Sequence, residues 1–288
     1  MKKPLKYIYI FPSAVTLLNG FFGFTAIMIA SHEPGLRWQF PLIPSFTLSY
    51  PTISAWFILF GMVADALDGF VARASGMTSD FGAQLDSLCD AVTFGVAPAF
   101  LSYKMFASAL LELHAKGFRW ANITGRWVLF TAVVYAMCAL VRLARFNVES
   151  DESAASHMNF AGLPSPAGAG LIVSLIIFHE DFLQPLRTRF PQSAPFALTL
   201  EKISLWVIPF VLVIAGVLMV SRITYPHLAN QLLRSQKSFS SLIVVILCGL
   251  FAIWNFHIAL VLGFFGFASY GFGHWAITTV KSKPTDKN

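Results

Sequence analysis

Charged residues are scarce in this sequence. Asp, Glu, Lys and Arg make up 12% of its 288 residues, whereas hydrophobic residues make up 56%. A chain of this length has room for one or two soluble domains, but long uncharged runs with so little charge are typical of polytopic membrane proteins. The composition therefore argues against a soluble protein and predicts that one membrane domain holds nearly the whole chain.

Cysteines and clustered basic residues are also few. The three cysteines, Cys89, Cys138 and Cys248, fall in apolar segments at wide spacing, which indicates neither a disulfide framework nor a metal knuckle. The formal net charge of +6 is modest, and the basic residues are scattered in short loops and at both ends. That pattern favours anchoring at anionic lipid headgroups, and it excludes a nucleic-acid partner.

Long apolar runs are abundant, and they predict an all-α, polytopic transmembrane helical bundle. The predicted spans cover about residues 8–30, 52–71, 81–106 and 128–143, a fifth that opens at 162–170, a sixth that ends at 218–225, and two more at 242–254 and 257–270. The first run is too long for a signal peptide, so we expect it to remain as a membrane helix.

Proline and mixed polarity predict irregular structure in three places. Residues 32–50 contain Pro34, Pro41 and Pro44, which predict a loop on the far face of the membrane. Residues 108–126 mix leucines with charged side chains, as a short amphipathic helix along the interface would. We expect the proline at position 98 to bend the third span in its middle.

Four aspartates stand at helical spacings beside the apolar runs. Asp65 and Asp68 are three residues apart and Asp86 and Asp90 are four apart, so each pair projects from one face of its own helix. The connection between the two helices is short, which makes them antiparallel and lets the two acidic faces meet. We expect the chemistry of the protein at this place.

The four carboxylates predict a divalent metal site. At membrane depth they repel one another and are costly to desolvate, so they persist only if they hold cations or are partly protonated. Oxygen ligands without a nearby His or Cys pair favour magnesium or manganese over zinc. There are enough carboxylates for two ions, an arrangement that clamps a transferring phosphoryl group. Cys89 stands between two of the aspartates, where a lone thiol is more often core packing than a ligand.

Small residues and one arginine accompany the aspartates. Gly69 and Gly82 stand inside helical segments, where glycine costs about 1 kcal/mol relative to alanine, so we expect another group to approach the backbone there. A nucleotide fits this position, because Ala72 is also small and Arg73 can pair with a phosphate in bidentate fashion. For the glycines alone, close packing of transmembrane helices is an equally good explanation.

The spacing of these residues, D-x2-D-G-x2-A-R-x8-G-x3-D-x3-D, resembles the signature of the CDP-alcohol phosphotransferase family at every position. The resemblance implies that the aspartates bind two divalent ions and that Asp90 also acts as general base on the incoming alcohol. It assigns the metal to Asp65, Asp68, Asp86 and Asp90, and the nucleotide of the CDP substrate to Gly69, Ala72, Arg73 and Gly82.

Further motifs resemble the bacterial phosphatidylserine synthase branch of that family. They are R-L-A-R-F-N at 142–147, G-L-P-S-P at 162–166 and L-M-V-S-R-I-T-Y at 218–225. A stripe in the first span, Pro12, Thr16, Asn19 and Gly23, also matches, although Ser13 stands where asparagine is usual. Interhelical packing explains this stripe about as well as substrate contact does.

The branch resemblance implies a reaction and its partners. CDP-diacylglycerol and L-serine would be the substrates, phosphatidylserine and CMP the products, and membrane lipid the surroundings. Arg142 and Arg145 are candidates for holding the serine carboxylate, while anchoring at lipid headgroups explains two arginines one turn apart equally well. Members of the family pair, so a homodimer is expected.

The six spans of the family core imply a division of the chain. Residues 1–225 would form the CDP-alcohol phosphotransferase membrane domain, and residues 226–288 a basic linker, two added transmembrane helices and a charged tail. With about eight spans, both termini share the side of the aspartates. Most of the 20 Lys and Arg residues fall on that side, which places it in the cytoplasm, with the protein in the bacterial inner membrane.

Two alternatives remain open at the level of the sequence. The aspartate signature concerns only the CDP moiety that all donor substrates of the family share. Choline, inositol or glycerol phosphate are therefore alternative acceptors. A membrane cation carrier whose aspartates line the ion path is the alternative from another class of protein. The carrier does not explain why glycine, alanine and arginine stand at fixed distances from the aspartates.

Overall fold

Helices dominate the structure of the protein. A computed structural model describes residues 10–32, 37–40, 43–75, 80–115, 121–152, 162–189, 194–223, 225, 249, 251 and 253–281. Within this part of the chain, six helices are long and apolar enough to cross a membrane, and the apolar helix Ala14–Ala30 is shorter. The prediction of an all-α polytopic membrane bundle is confirmed, and the protein is an integral membrane protein.

Nine α-helices of six residues or more lie in the described ranges. In chain order they are α1 (Ile10–Ala30), α2 (Tyr50–Ser75), α3 (Asp80–Asp90), α4 (Ala97–Ala115), α5 (Ala121–Glu152), α6 (Ser165–Ile177), α7 (Gln184–Arg189), α8 (Ala194–Val220) and α9 (Phe256–Lys281). Two π-helical segments, Ala91–Val96 and Phe178–Leu183, join α3 to α4 and α6 to α7. The span predicted at 242–254 lies almost entirely outside the described residues.

Helix α6 lies at the centre of the bundle. Every residue from Gly168 to Ile177 is buried, and the helix packs against α2, α8 and α9. Its small residues allow this close approach, because a Cβ at Gly170 would lie 2.0 Å from the ring of Phe264. The outer helices instead expose large apolar side chains, such as Phe24 of α1 at 59%, as contact with lipid requires.

A backbone link joins the start of α6 to the end of α8. Gly162 has a φ of 94°, a conformation that favours glycine, and a Cβ there would lie 2.2 Å from the carbonyl oxygen of Met219. The Gly162 N–H donates to the Ile223 carbonyl at 2.8 Å, and the Leu163 N–H donates to the Leu218 carbonyl at 3.0 Å. The two branch motifs in these segments therefore contact each other through their backbones.

The prediction of a loop at residues 32–50 is wrong for most of that region. Two antiparallel strands, β1 (Arg37–Phe40) and β2 (Ile43–Ser49), form a ribbon in which Arg37 pairs with Ser49 and Trp38 with Leu48. Proline opposes a central strand because it lacks an N–H, but a two-stranded ribbon has outer edges that need no partner. Aromatic and β-branched residues between the prolines then favour strands.

The interface helix predicted at residues 108–126 is also wrong. Helix α4 continues to Ala115 and α5 begins at Ala121, so the segment extends two membrane helices. Buried Leu110 packs with Phe106 and Val128, which places Leu110 between α4 and α5. The mixture of apolar and charged residues in this segment led to the wrong prediction, because a helix that packs against a neighbouring helix shows the same amphipathic pattern as a helix at the membrane interface.

The bend expected at Pro98 stays a prediction, but a π-helical segment ends two residues before this proline. Proline has no N–H to donate to the carbonyl of Phe94, four residues earlier. The buried hydroxyl of Tyr135 donates to that carbonyl instead, at 2.8 Å. The backbone therefore stays hydrogen-bonded in the apolar interior, and the π-helical segment begins immediately after Asp90.

Candidate metal centre

Three carboxylates from α2 and α3 meet inside the bundle. One oxygen from each of Asp65, Asp86 and Asp90 lies within 4.8 Å of the other two. Asp90 is 9% exposed, and the other two are half-buried. Carboxylate oxygens in such a group are the ligands that magnesium and manganese prefer, and a cation removes the repulsion between them. The donor set therefore fits a divalent ion.

Asp68, the fourth predicted ligand, lies beside this triad but is held by another helix. Its carboxylate accepts a hydrogen bond from the hydroxyl of Thr16 on α1, and only 7% of the residue is exposed. It remains close enough to interact electrostatically with Asp65 and Asp86. Its role as a metal ligand stays a prediction.

Helix α1 supports the triad through Asn19. The Asn19 side chain is fully buried, and its Nδ2 donates to Asp90 Oδ1 at 2.8 Å. Its Oδ1 is a buried acceptor for which the described residues supply no hydrogen-bond partner. The sequence left the polar stripe of α1 open between helix packing and substrate contact. In the structure, Thr16 and Asn19 both bond to predicted site carboxylates, whereas the side chains of Pro12 and Ser13 lie outside the described part.

Glycines bring α1 and α2 close to the π-helical segment that follows Asp90. A Cβ at Gly23 would lie 2.2 Å from Thr93 Oγ1, and one at Gly61 would lie 2.5 Å from Thr93 Cγ2. A Cβ at Gly20 would lie 2.8 Å from the Sγ of Cys89. The buried Cys89 thus packs against α1, which agrees with the packing role expected for an isolated thiol.

The two candidate arginines of α5 have different surroundings. Arg142 interacts electrostatically with Asp90, and its Nη1 donates to Ser165 Oγ at 3.1 Å. Its Nε is buried and has no hydrogen-bond partner among the described residues. Arg145 Nη1 donates to the carbonyl of Val220 at 3.3 Å, at the end of α8. The structure therefore brings Arg142 to the acidic cluster and shows Arg145 bonded to the end of α8.

The predicted nucleotide residues lie on the same two helices as the aspartates. Gly69 follows Asp68 on α2 and Gly82 precedes Asp86 by one turn on α3, and both glycines are half-buried. Ala72 and Arg73 belong to the last turns of α2, but their side chains lie outside the described part. The assignment of these four residues to the nucleotide stays a prediction.

Sequence reasoning missed several polar residues next to the site. Thr93, one turn after Asp90, donates to the backbone carbonyl of Asn19 at 3.0 Å. Ser87 of α3 donates to Asn147 Oδ1 of α5 at 2.9 Å. The available signal was a polar residue three positions after Asp90 in an otherwise apolar run, which helical periodicity places near the same face.

A family model described as CDP-alcohol phosphatidyltransferase matches residues 9–214. The chain belongs to this family. The match includes all four aspartates and reaches into α8, while α9 lies beyond it. Members of the family are phosphatidyltransferase enzymes, so an acidic cluster that fits a divalent ion lies where a phosphoryl-transfer enzyme needs one.

Curated relatives agree with this assignment. A CDP-diacylglycerol–serine O-phosphatidyltransferase of Methanocaldococcus jannaschii is 32% identical over 218 residues, which cover 76% of this chain and 74% of that protein. A Helicobacter pylori protein of the same name is 30% identical over 224 residues, covering 78% and 75% of the two chains. A Saccharomyces cerevisiae protein of this name is 34% identical over 166 residues, covering 56% and 51%.

Proposed function

We propose that this protein transfers the phosphatidyl group of CDP-diacylglycerol to the hydroxyl of L-serine. The bond between the lipid phosphate and CMP breaks, a phosphodiester to serine forms, and CMP leaves. Family membership supports the use of a CDP-activated lipid. The serine acceptor is supported by the names of the relatives and by the branch motifs that pair at the start of α6 and the end of α8.

The observation that carries the proposal is a pair of unsatisfied groups beside Asp90. Asn19 Oδ1 and Arg142 Nε are the buried side-chain polar atoms without a hydrogen-bond partner in the described ranges. Leaving such atoms unpaired is costly in a protein interior. An open acceptor and an open cationic donor next to a carboxylate cluster suit a metal ion and an anionic substrate group, respectively.

The carboxylates of the cluster would hold the metal. Asp65, Asp86 and Asp90 are the proposed ligands, with Asp68 as the fourth, and the proposed occupants are two magnesium or manganese ions. When bound, the ions neutralise the negative charge that develops on the departing CMP. The remaining chemistry belongs to the side chains of the protein.

Asp90 is the proposed general base. It accepts the proton of the serine hydroxyl as that oxygen attacks the lipid phosphorus, and the Asn19 amide holds Asp90 Oδ1 at 2.8 Å while it does so. Arg142 would pair with the serine carboxylate, and Arg145 is the weaker candidate for that role. Four residues would contact the CDP moiety, namely Gly69, Ala72, Arg73 and Gly82.

The cellular setting belongs to the same proposal. The aspartate side would face the cytoplasm of a bacterial inner membrane, because most basic residues fall on that side. CDP-lipid and free serine would both reach the site from there. The protein would act as a homodimer, with residues 1–225 as the catalytic domain and residues 226–288 as an added region.

The test is CMP release by the purified protein in detergent. CDP-diacylglycerol and manganese or magnesium are supplied, with serine, choline, inositol and glycerol phosphate tested in parallel. We expect CMP release with serine alone and none after the metal is chelated. An Asp65→Asn variant serves as the matched negative control, because it removes one carboxylate of the triad and keeps the size of the side chain.

Each other outcome has a definite meaning. Release with a different alcohol keeps the metal-dependent transfer and rejects serine as the acceptor. Release that is insensitive to chelation rejects the metal centre. Metal-dependent cation uptake into vesicles without any CMP release rejects the transferase and favours the carrier.

A further inference from the structure

A second polar site lies at the opposite end of the bundle from the aspartates. A cavity of about 970 Å³ opens between the β-ribbon, the start of α2 and the π-helical segment that follows α6. Tyr50 borders it and lies 15 residues before Asp65 on the same helix, a rise of about 22 Å. The polar end of this cavity therefore lies toward the opposite membrane face from the metal centre, and the cavity extends along α2 as far as Phe60.

Two carboxylates enter this cavity from the π-helical segment. Glu180 is 9% exposed and accepts a hydrogen bond from Gln184 Nε2 at 2.9 Å, while Asp181 Oδ1 accepts one from the hydroxyl of Thr52 at 2.8 Å. Each ionised carboxylate has about four acceptor positions, so these bonds leave capacity for a further donor. π-Helical turns are uncommon and frequently mark functional sites, and the other π-helical segment of this protein begins directly after Asp90.

A cation lies at the edge of the same cavity. Arg37 of β1 lines it, and its Nη2 is 3.5 Å from Gln184 Oε1, the residue whose amide bonds to Glu180. The guanidinium interacts electrostatically with both Glu180 and Asp181. A guanidinium has five N–H donors, so Arg37 can bind an anion while it keeps this contact.

Most of the remaining wall is aromatic or aliphatic, although His32, Thr47 and His257 also line it and His257 interacts electrostatically with Asp181. Trp56 and Phe60 of α2 line the cavity, and Phe60 is 47% exposed on the outside of the bundle. Trp56 also stacks on Phe256, with ring centroids 5.3 Å apart. Aromatic rings beside carboxylates attract ammonium groups, and an apolar wall that reaches the helix surface suits an acyl chain.

We propose that this cavity binds an amine-bearing phospholipid of the leaflet opposite the metal centre. The ammonium contacts Asp181 and Glu180, the phosphate contacts Arg37, and the acyl chains follow the wall at Trp56 and Phe60. A simple lipid amine leaves the remaining N–H donors of Arg37 without a phosphate to bind, and an anionic lipid without an amine faces two carboxylates. A zwitterionic headgroup matches both signs of charge.

The experiment is native mass spectrometry of the delipidated full-length protein in detergent. Dioleoyl phosphatidylethanolamine, which has amine and phosphate, is compared with dioleoyl phosphatidylglycerol, which lacks the amine, and with dioleoyl trimethylammonium propane, which lacks the phosphate. We expect phosphatidylethanolamine to bind about tenfold more tightly than either analogue. Equal binding of phosphatidylethanolamine and phosphatidylglycerol would overturn the proposal.

Variants of residues that line the cavity test whether phosphatidylethanolamine binds there. Asp181→Asn keeps an acceptor for Thr52 but loses the charge, and Ile53→Trp fills the cavity without removing a hydrogen bond, so both should weaken phosphatidylethanolamine binding about tenfold. Asp86→Asn alters the metal centre and should leave this binding unchanged, even where CMP release is lost. Unchanged binding in both cavity variants, shown to be folded by their thermal unfolding, would reject the site.

Competition by a soluble headgroup tests whether the cavity binds a whole lipid or only the free headgroup. Glycerophosphoethanolamine carries the same amine and phosphate without acyl chains. We expect it to compete poorly, because it makes no contact with the apolar wall. Competition at the same concentration as the lipid would overturn the lipid assignment. None of these readouts depends on which alcohol the metal centre accepts.

Discussion

Asp90 is held in one orientation by a neighbour that belongs to another helix. One of its oxygens accepts the amide N–H of Asn19, and the carboxylate also lies within reach of Asp65 and Asp86. A buried carboxylate with a fixed donor needs little rearrangement before it accepts a proton. The pair Asn19 and Asp90 therefore links the first membrane helix directly to the proposed chemistry.

Replacing Asp90 by asparagine should abolish turnover while the fold survives. Asparagine has nearly the same size, but it accepts no proton from the alcohol, so we expect the rate of CMP release to fall about 100-fold or more. Manganese binding, followed by electron paramagnetic resonance, separates the two proposed roles of the residue. A variant that still binds manganese but does not turn over supports the base role, whereas a fully active variant rules it out.

Removing the Asn19 side chain should affect the rate more than substrate binding. In Asn19→Ala the Asp90 carboxylate loses its donor, and we expect kcat to fall about tenfold, since losing a buried hydrogen bond costs about 1–3 kcal/mol. The KM for CDP-diacylglycerol should change little. Leu18→Ala is the matched control, because Leu18 is the adjacent residue of α1 and 44% of it is exposed. Equal losses in the two variants would contradict a positioning role for Asn19.

The two arginines of α5 should separate in their kinetics. Arg142→Ala removes a cation that interacts electrostatically with Asp90, so the KM for serine should rise about tenfold or more. Arg145→Ala should leave that KM nearly unchanged and lower the melting temperature instead, since Arg145 donates to a carbonyl at the end of α8. A rise in KM for Arg145→Ala alone would reverse the assignment.

At the scale of elements, the site depends on how closely α1 approaches the π-helical segment. Asn19 reaches Asp90 because Gly23, one turn further along α1, leaves room for Thr93. The Thr93 hydroxyl then donates to the Asn19 carbonyl, which fixes the two elements at a single register. A small residue in one helix therefore determines where a polar side chain of the same helix lies.

Adding one methyl group at Gly23 tests this dependence. The Cβ of Gly23→Ala would lie 2.7 Å from the Cα of Thr93, so the backbones must separate. We expect a loss of about 1–3 kcal/mol in the free energy of unfolding, together with reduced CMP release. In the control Gly95→Ala, in the same π-helical segment, the nearest contact is the Ala139 Cβ at 3.4 Å, which is ordinary packing. Similar effects of the two changes would argue against a specific role for the α1 contact.

Local spacing predicted some elements and not others. Asp65, Asp86 and Asp90 could be predicted to converge, because helical periodicity and a short connection are properties of the sequence itself. The role of Asn19 could not be predicted, because a polar stripe on a helix has the same sequence pattern whether it packs against another helix or bonds to a carboxylate of the site. The β-ribbon was missed because the tolerance of proline depends on which strand edges remain unpaired, and that is decided only in the folded chain.

At the scale of the whole molecule, the two ends of the bundle differ in chemistry. One end carries the carboxylate triad of α2 and α3, and the other carries the β-ribbon with the cavity beneath it. Helix α2 runs from one end to the other, from Tyr50 beside the ribbon to Asp65 in the triad. A single orientation in the membrane therefore assigns both sites to defined compartments.

Labelling of single cysteines determines that orientation. After the three native cysteines are replaced by alanine, one cysteine is introduced at an exposed position of either end, as Gln39→Cys in β1 or Ala83→Cys in α3. In right-side-out membrane vesicles, a membrane-impermeant maleimide should label Gln39→Cys at once and Ala83→Cys only after the vesicles are opened. This result is expected for the proposed orientation, in which the excess of basic residues on the aspartate side holds that side in the cytoplasm. Immediate labelling of Ala83→Cys with protection of Gln39→Cys would place the metal centre outside, where no cytoplasmic CDP-lipid or serine reaches it, and would reject the proposed orientation.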